Sequence, residues 1–131
     1  MQINLTVTDG LYSISKLPPD AIIPQWALDS AFSSITKTGD ELSVVASSEC
    51  TPIDMDADTG WRALKIEGVL DFSLTGIIAG ISSRLAEASI SVFVISTYNT
   101  DYVLIKKENL DKAVHTLKEN GYGIQNEGDA L

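Results

Sequence analysis

The sequence contains few of the residues that most often form cross-links or carry out catalysis, with one cysteine, Cys50, and one histidine, His115. A single cysteine cannot form an internal disulfide, and a thiolate zinc site needs more ligands. Positive charge is also scarce, because 9 Lys and Arg stand against 18 Asp and Glu, for a net charge of −9. This balance argues against binding to nucleic acid and to anionic membrane surfaces, which are themselves negatively charged.

Targeting and membrane-spanning segments are missing from the sequence pattern as well. The start of the chain, Met1–Asn4, has neither the basic region nor the apolar core of a signal peptide, so we expect a cytoplasmic protein. The apolar stretch from Leu74 to Ile95 is interrupted by Arg84 and Glu87 and is not expected to cross a membrane. With 131 residues, 44% of them hydrophobic, the chain has the composition of one ordinary globular domain or two very small ones.

Residue patterns typical of catalysis and metal binding are weak. The alternating aspartates of Asp54–Asp58 precede Gly60 and resemble a calcium loop, but the sixth position is not glycine and the twelfth, Lys65, is not a carboxylate. We therefore expect a solvated acidic loop and no metal or cofactor. His115 is expected on the polar face of a helix, and Cys50 lies beside Glu49 with no obvious cation near it in the sequence that would activate its thiol. The sequence therefore predicts that the protein is not an enzyme.

The first half of the chain is predicted to form two hairpins separated by a short irregular helix. Asp9-Gly10 lies between two alternating apolar runs, which is typical of a tight hairpin turn. A polar loop is expected to close this half. The predicted elements are strands at Ile3–Val7 and Leu11–Leu17, a helix within residues 20–30, a hairpin at Phe32–Ser47 turning at Lys37–Asp40, and a loop over residues 48–60.

From Trp61 onward the predicted order is strand, helix, strand, strand, helix, strand. The elements are strands at Trp61–Glu67, Ile90–Ile95, Tyr102–Lys106 and Tyr122–Gln125, with helices at Leu74–Ala88 and Glu108–Asn120. Ser73 is the expected N-cap of the first helix, and Gly121 is expected to end the second. The apolar strand Ile90–Ile95 is expected in the centre of the sheet. This order predicts an α+β, ferredoxin-like βαββαβ fold with a mainly antiparallel sheet and both helices on one face.

The first half also looks like a shorter copy of the second. An ungapped shift of 61 residues pairs Phe32, Thr36 and Asp40 with Phe93, Thr97 and Asp101. Both segments are independently predicted as strand, turn and strand, although unrelated hairpins also resemble one another. We therefore expect a truncated half over residues 1–60 and a complete βαββαβ domain over residues 61–131.

The stretch from Glu67 to Ile77 combines a strand end, a turn and a helix start. The N-terminus of a helix presents unpaired N–H groups and a partial positive charge, which together suit a carboxylate. Gly76 and Gly80 each lower helix stability by up to about 1 kcal/mol relative to Ala, which indicates close approach by a ligand or by another element. Gly76, in the expected first turn, is the better ligand candidate, whereas packing explains Gly80 equally well.

Two segments of the sequence are distinctive, WRALKIEGVLDFSLTGI (61–77) and ISVFVISTYNTDYVLI (90–105). They resemble the ACT domain, and in particular the tandem-ACT proteins related to the CASTOR arginine sensors and to the regulatory domains of aspartate kinases. Leu17–Ala21, Trp26 and Asp40–Val45 resemble the first half of that family more loosely. The resemblance implies an ACT fold with a shorter ACT-like first half. It also implies a regulatory module that binds a small ligand, commonly an amino acid, at an interface between ACT units.

Carried over to this sequence, the resemblance assigns ligand binding to a loop with a helix start and to an opposing hairpin turn. These residues are Asp71, Ser73, Leu74, Thr75, Gly76 and Ile77, followed by Thr97, Tyr98, Asn99 and Asp101. Amide groups at 75–77 would hold an α-carboxylate, and Asp71 or Asp101 would accept from a positively charged group of the ligand. The alternative roles are helix capping by Asp71 and fixing of the turn by Asp101.

The resemblance also bears on partners. Members of the family pair, so we expect a homodimer whose contact involves the first helix or the sheet edge at Ile90–Ser96, and a regulated enzyme as a further partner. A protein-interaction module without a small ligand is the alternative function.

Overall fold

Strands make up most of the regular structure in the computed structural model, which describes residues 2–68 and 76–128. The strands are β1 (Asn4–Val7), β2 (Tyr12–Leu17), β3 (Ser33–Lys37), β4 (Leu42–Ser47), β5 (Ala57–Ile66), β6 (Phe93–Ser96), β7 (Asp101–Lys106) and β8 (Gly123–Asn126). The helices are α1 (Gln25–Asp29), α2 (Ile77–Glu87) and α3 (Leu110–Glu119), the last preceded by a 3-10 turn at Lys107–Asn109. Among the described residues, no helix is long and apolar enough to cross a membrane.

The chain divides into two compact units, and the boundary falls inside β5. One, which we call the inserted unit, is Gly10–Trp61. The other, the framing unit, joins Met1–Asp9 to Arg62–Leu131. The framing unit therefore contains β1, whereas the predicted division between residues 60 and 61 assigned β1 to the first half.

The framing unit has the strand order β6-β7-β5-β1-β8. β1 is antiparallel to β5, with Leu5 opposite Ile66, and parallel to β8, with Leu5 opposite Ile124. β6 and β7 form an antiparallel hairpin. Without β1, the order is that of a βαββαβ fold, so the predicted α+β ferredoxin-like class is confirmed and β1 is an added strand.

Both helices of the framing unit pack on one face of its strands. Every second residue of these strands points to that face, and α2 and α3 cover it with their apolar sides. The fully or nearly buried members are Leu5, Val7, Leu64, Ile66, Ile81, Leu85, Ile90, Val103, Ile105, Ala113 and Leu117. Each buried Leu or Ile side chain contributes about 1.5–3 kcal/mol relative to exposure, so this cluster holds the two helices in place.

The inserted unit repeats the same strand order on a smaller scale, β3-β4-β2-β5. Its only helix among the described residues is the five-residue α1, and turns between β4 and β5 stand where a second helix would lie. Its core consists of Ala27, Leu42, Val44 and Ala46, with Leu17, Ala21, Trp26 and Ile35 packed against them. The unit is thus built as β, α, β, β, turns, β.

The predicted hairpin at Asp9-Gly10 is wrong. β1 pairs with β5 and β8, whereas β2 pairs with β4 and β5. A tight type I′ turn needs positive φ at both central residues. Gly10 has φ +85°, but Asp9 is not among the described residues with positive φ. The dipeptide instead connects one unit to the other.

The position of one predicted strand and the extent of one predicted loop also need correction. β6, expected in the centre of the sheet, pairs only with β7 among the described strands and is therefore an edge strand. The apolar sequence of β6 suggested burial on both faces. Its side chains nevertheless alternate, with Val94 37% exposed and Ile95 buried, as an edge strand allows. The loop predicted over residues 48–60 ends earlier, because β5 already begins at Ala57.

The two longer helices end in the same way, through a residue in the left-handed conformation. After α3, Gly121 has φ +91° and Tyr122 N–H donates to Leu117 O at 3.0 Å, which confirms Gly121 as the helix stop. After α2, Ser89 takes the same place with φ +62°, and Ile90 N–H donates to Leu85 O at 2.9 Å. Ser89 is the only non-glycine residue of the described chain with positive φ.

Candidate functional site

The turn between β6 and β7 is closed by its own threonines. Thr97 N–H donates to Thr100 O at 2.8 Å, and Thr97 Oγ1 donates to the same carbonyl at 2.9 Å. Thr97 Oγ1 also lies 3.2 Å from Thr100 N and accepts from it. These bonds set a four-residue turn over 97–100, and Asp101 is the first residue of β7, opposite Ser96.

A buried hydroxyl joins this turn to the end of β5. Thr100 is 4% exposed, and its Oγ1 donates to Ile66 O at 2.6 Å. Ile66 is the last residue of β5, and Gly68, with φ +87°, follows in the connection toward α2. The β6–β7 turn and the start of the β5–α2 connection are therefore held together by a hydrogen bond.

The described end of the β5–α2 connection is the start of α2. Gly76 is the N-cap with φ +84°, which favours glycine, and no side chain of the described residues caps the helix. Gly76 O accepts the first helical hydrogen bond from Gly80 N at 2.8 Å. A Cβ on Gly80 would lie 3.0 Å from the hydroxyl of Tyr122, so the close approach at Gly80 is by another element.

The structure describes only part of the predicted site. Asp71, Ser73, Leu74 and Thr75 lie outside the described residues, and the N-cap of α2 is Gly76 rather than the predicted Ser73. Gly76 and Ile77 begin α2, with Ile77 half-buried against the core. In the turn, Tyr98 is 82% exposed, and Thr97 and Asn99 are exposed too, whereas Asp101 is half-buried. Thr97 and Thr100 provide the hydrogen bonds that close the turn and join it to β5.

The charge around these two segments is of one sign. Residues 67–77 and 96–101 contain three acidic side chains, Glu67, Asp71 and Asp101, and neither Lys nor Arg. Glu67 and Asp101 each follow a partner of the Thr100–Ile66 hydrogen bond, and both are half-buried. Such surroundings favour a ligand that carries a positive group.

The inserted unit has an equivalent turn between β3 and β4. Thr38 N–H donates to Glu41 O at 2.9 Å, and Thr38 Oγ1 accepts from Glu41 N at 3.2 Å. Thr38 therefore corresponds to Thr97, a shift of 59 residues rather than the predicted 61. The hydrophobic pattern could not detect this difference of two, because a two-residue slip keeps every side chain on its face.

Thr100, whose buried hydroxyl joins the turn to β5, was not among the residues predicted from the sequence. The sequence feature that could have pointed to Thr100 is the spacing Thr97-x-x-Thr100. This spacing looks like an ordinary polar turn unless the hydrogen-bond partner of Thr100, Ile66, is known. In the described part of the chain, no group of three or more His, Cys, Asp or Glu could hold a metal ion.

Comparison with known proteins agrees with this architecture. A family model described as ACT domain matches residues 56–119, and a second, described as an N-terminal domain, matches residues 10–54. A crystal structure of a protein from Agrobacterium tumefaciens is 34% identical, with a TM-score of 0.91, covering 100% of this chain and 98% of that one. The regulatory subunit of aspartate kinase from Thermus thermophilus, 10% identical, has a TM-score of 0.62 and coverages of 91% and 97%.

A human relative, the cytosolic arginine sensor for mTORC1 subunit 1, is 35% identical over 65 residues, which are 49% of this chain and 20% of the sensor. The matched region covers 61% of the length of one curated relative and 20% of the length of the human sensor. The fold, the strand order and the family model together define the class of domain as ACT. The chain belongs to the ACT-domain family and is related to the CASTOR arginine sensors and, in fold, to aspartate kinase regulatory domains.

Proposed function

We propose that the protein is a regulatory ACT protein that binds a small molecule, in particular an amino acid, between the β5–α2 connection and the β6–β7 turn. The observation that carries the proposal is the 2.6 Å hydrogen bond from Thr100 Oγ1 to Ile66 O, because it holds the two segments together. The names of the relatives, an arginine sensor and a regulatory subunit of aspartate kinase, support an amino acid as ligand and a regulatory rather than catalytic role.

Each charged group of the ligand has a counterpart in this arrangement. The α-carboxylate binds the N–H groups at Thr75, Gly76 and Ile77, where the helix dipole is positive. The α-ammonium or a cationic side chain binds Asp101 or Asp71. Residues 67–77 and 96–101 contain no Lys or Arg that could pair with these carboxylates from within the same two segments.

The proposal extends to assembly and location. Among the described strands, β6 lies at one end of the strand order of the framing unit. An edge strand offers unpaired backbone groups to a second copy, so a homodimer forms through β6 or α2. Such a dimer acts in the cytoplasm and regulates an enzyme partner, in keeping with the cytosolic relative.

A thermal-shift screen against the standard amino acids tests ligand binding. A ligand present at 100 times its Kd stabilises the folded protein by about 2.7 kcal/mol, so at least one amino acid is expected to raise the Tm by several degrees. If none does so, the protein does not bind an amino acid, and the interaction module without a ligand replaces the proposal.

Replacing Asp101 tests the site. Asp101→Asn keeps the size of the side chain and removes its charge, so affinity for the amino acid found in the screen should fall about tenfold or more, since a charge-assisted hydrogen bond contributes roughly 1.5–3 kcal/mol. Stability in urea should barely change, because Thr97 and Thr100 hold the turn. Isothermal titration calorimetry measures the affinity.

Asp40→Asn is the matched control, because Asp40 lies in the equivalent turn of the inserted unit and is exposed. It removes the same charge and should leave the affinity unchanged. Unchanged binding by Asp101→Asn, together with a large stability loss in Asp101→Ala, would instead assign Asp101 a structural role and move the search to Asp71.

A further inference from the structure

Three large apolar side chains are exposed within one segment of the inserted unit, Ala21–Asp29, which we call the apolar segment. Ile22 is 90% exposed, Leu28 59% and Ile23 46%. Leu28 lies on α1, and the two isoleucines lie in the extended stretch before it. Single exposed apolar residues are common, but several in one short segment are typical of a contact surface.

The apolar segment is fixed at both ends. Ala21 and Trp26 pack against the core of the inserted unit, and Ala21 N–H donates to Pro18 O at 3.0 Å. Beyond α1, Ser30 Oγ accepts from Ser47 N at 2.9 Å. The exposed side chains therefore cannot turn inward without displacing their packed neighbours. A surface ordered before binding loses little conformational entropy when a partner docks.

The negative charge of the inserted unit indicates what kind of partner the apolar segment can bind. Gly10–Trp61 contains 8 Asp and Glu and 2 Lys, a net charge of −6, and two of the carboxylates, Asp20 and Asp29, flank the exposed side chains. A second copy of this chain or an anionic membrane would bring like charge to the same surface. A partner that combines apolar side chains with Lys or Arg complements both properties.

We propose that the apolar segment binds a stretch of another protein in which apolar side chains are flanked by Lys or Arg. Ile22 and Leu28 provide the apolar contact, and Asp20 and Asp29 pair with the flanking cations. The site lies in the inserted unit and is independent of the amino acid site proposed in the framing unit.

Fluorescence anisotropy with three short labelled peptides tests this proposal. In one peptide Leu and Lys form an apolar and a basic face, in the second Glu replaces Lys, and in the third Ser replaces Leu. The protein should bind the Leu–Lys peptide at least about tenfold more tightly than either of the others, a difference of about 1.4 kcal/mol. Higher salt should weaken that binding.

Two double variants identify the surface. Ile22→Ser with Leu28→Ser, and Asp20→Asn with Asp29→Asn, should each weaken binding of the Leu–Lys peptide by about tenfold or more. Ile53→Ser is the matched control, because Ile53 is fully exposed in the same unit but lies outside the segment. Unchanged Tm values show that the variants are folded.

Three results would overturn the proposal. The first is no binding of the Leu–Lys peptide. The second is equal binding of the Ser–Lys peptide, which would show that charge alone attracts it. The third is a protein dimer in light scattering that is lost in Ile22→Ser with Leu28→Ser, which would make a second copy the occupant.

Discussion

Ser13 and Ser15 are neighbouring buried serines of β2 with opposite hydrogen-bond situations. Ser13 Oγ lies 2.8 Å from Ser48 Oγ, so that the two hydroxyls share a hydrogen bond. Ser15 is 1% exposed, and its Oγ has no hydrogen-bond partner in the described part of the chain. A buried hydroxyl without a partner costs about 1–3 kcal/mol of stability. The two positions therefore allow a comparison of two buried serines that differ in whether the hydroxyl has a hydrogen-bond partner.

We predict that Ser15→Ala stabilises the protein. The substitution removes an unpaired polar atom and leaves a small gap, so the free energy of unfolding should rise by about 1 kcal/mol. Urea denaturation measures it. A loss of stability would show that the hydroxyl has a partner after all.

Ser13→Ala is the control and should act in the opposite direction. It leaves the Ser48 hydroxyl without its protein partner, which costs about 1 kcal/mol. If the two variants shift stability equally, the hydrogen-bond difference between the positions has no energetic consequence.

Single residues were also where the sequence was least informative. Alternation favours burial of the apolar residues of β2, Tyr12 and Ile14, yet these are half-buried while Ser13 and Ser15 are buried. Burial depends on which elements cover each face of a strand, and no local pattern contains that information. Thr100 escaped notice for the same reason, since its partner Ile66 lies 34 residues away.

At the scale of elements, the ends of α2 and α3 provide a matched pair. Both helices end with a left-handed residue, Ser89 in one and Gly121 in the other. A side chain in this conformation costs roughly 1 kcal/mol or more because its Cβ lies too near the backbone carbonyl. Ser89→Gly should therefore raise the free energy of unfolding by about 0.5–1 kcal/mol, measured by urea denaturation.

The reverse substitution tests whether backbone strain is the cause. Gly121→Ala puts a Cβ at the same backbone conformation and should lower stability by about 1 kcal/mol. Nothing lies within 4 Å of a Cβ built at Gly121, so the loss would come from the backbone alone. If Ser89→Gly instead lowers stability, the greater freedom of glycine in the unfolded chain outweighs the strain.

Helices were predictable because their information is local. The periodicity of Leu110, Ala113, Val114 and Leu117 placed α3 correctly, with Ala113 and Leu117 fully buried. Strand partners were not, as the Asp9-Gly10 hairpin shows, because pairing depends on distant segments. The shift between the two hairpins failed by two residues, since the shared Thr38 and Thr97 turn geometry is visible only in the hydrogen bonds.

At the scale of the whole molecule, the order of elements after Trp61 could be deduced from the sequence, and the place of β1 could not. A short strand with alternating residues can pair with the edge of a sheet, or lie between two strands, wherever the hydrophobicity is similar. Only the structure shows Leu5 opposite both Ile66 and Ile124. The residues of the candidate site rest on resemblance, because carboxylates in turns have ordinary structural roles as well.

Assembly is the first property to measure at this scale. Light scattering at micromolar concentration should give twice the mass of the 14.1 kDa chain. A charged residue on the exposed side of the edge strand, as in Val94→Lys, should favour the monomer if the contact runs along β6. A monomeric mass with and without ligand would contradict the proposed dimer.

Metal removal should leave the folded protein unaffected. The acidic stretch at 54–58 lacks a carboxylate at the twelfth loop position, which is Lys65. Addition of EDTA should therefore leave the Tm unchanged in a thermal melt. A fall of several degrees would reopen the calcium interpretation.

The position of β1 has a consequence for the order in which the protein can be completed during synthesis. β1 leaves the ribosome before its neighbours β5 and β8, and the acceptor of Thr8 N–H, Ala63 O, follows only 55 residues later. Leu5 and Val7 therefore have no native strand partner until Leu64 and Ile66 of β5 have been made, about halfway along the chain. The inserted unit has its own core and is complete by Trp61. We expect it to fold before β1 is fully paired, so that nascent chains stalled before β8 leave one edge of β1 open to chaperones.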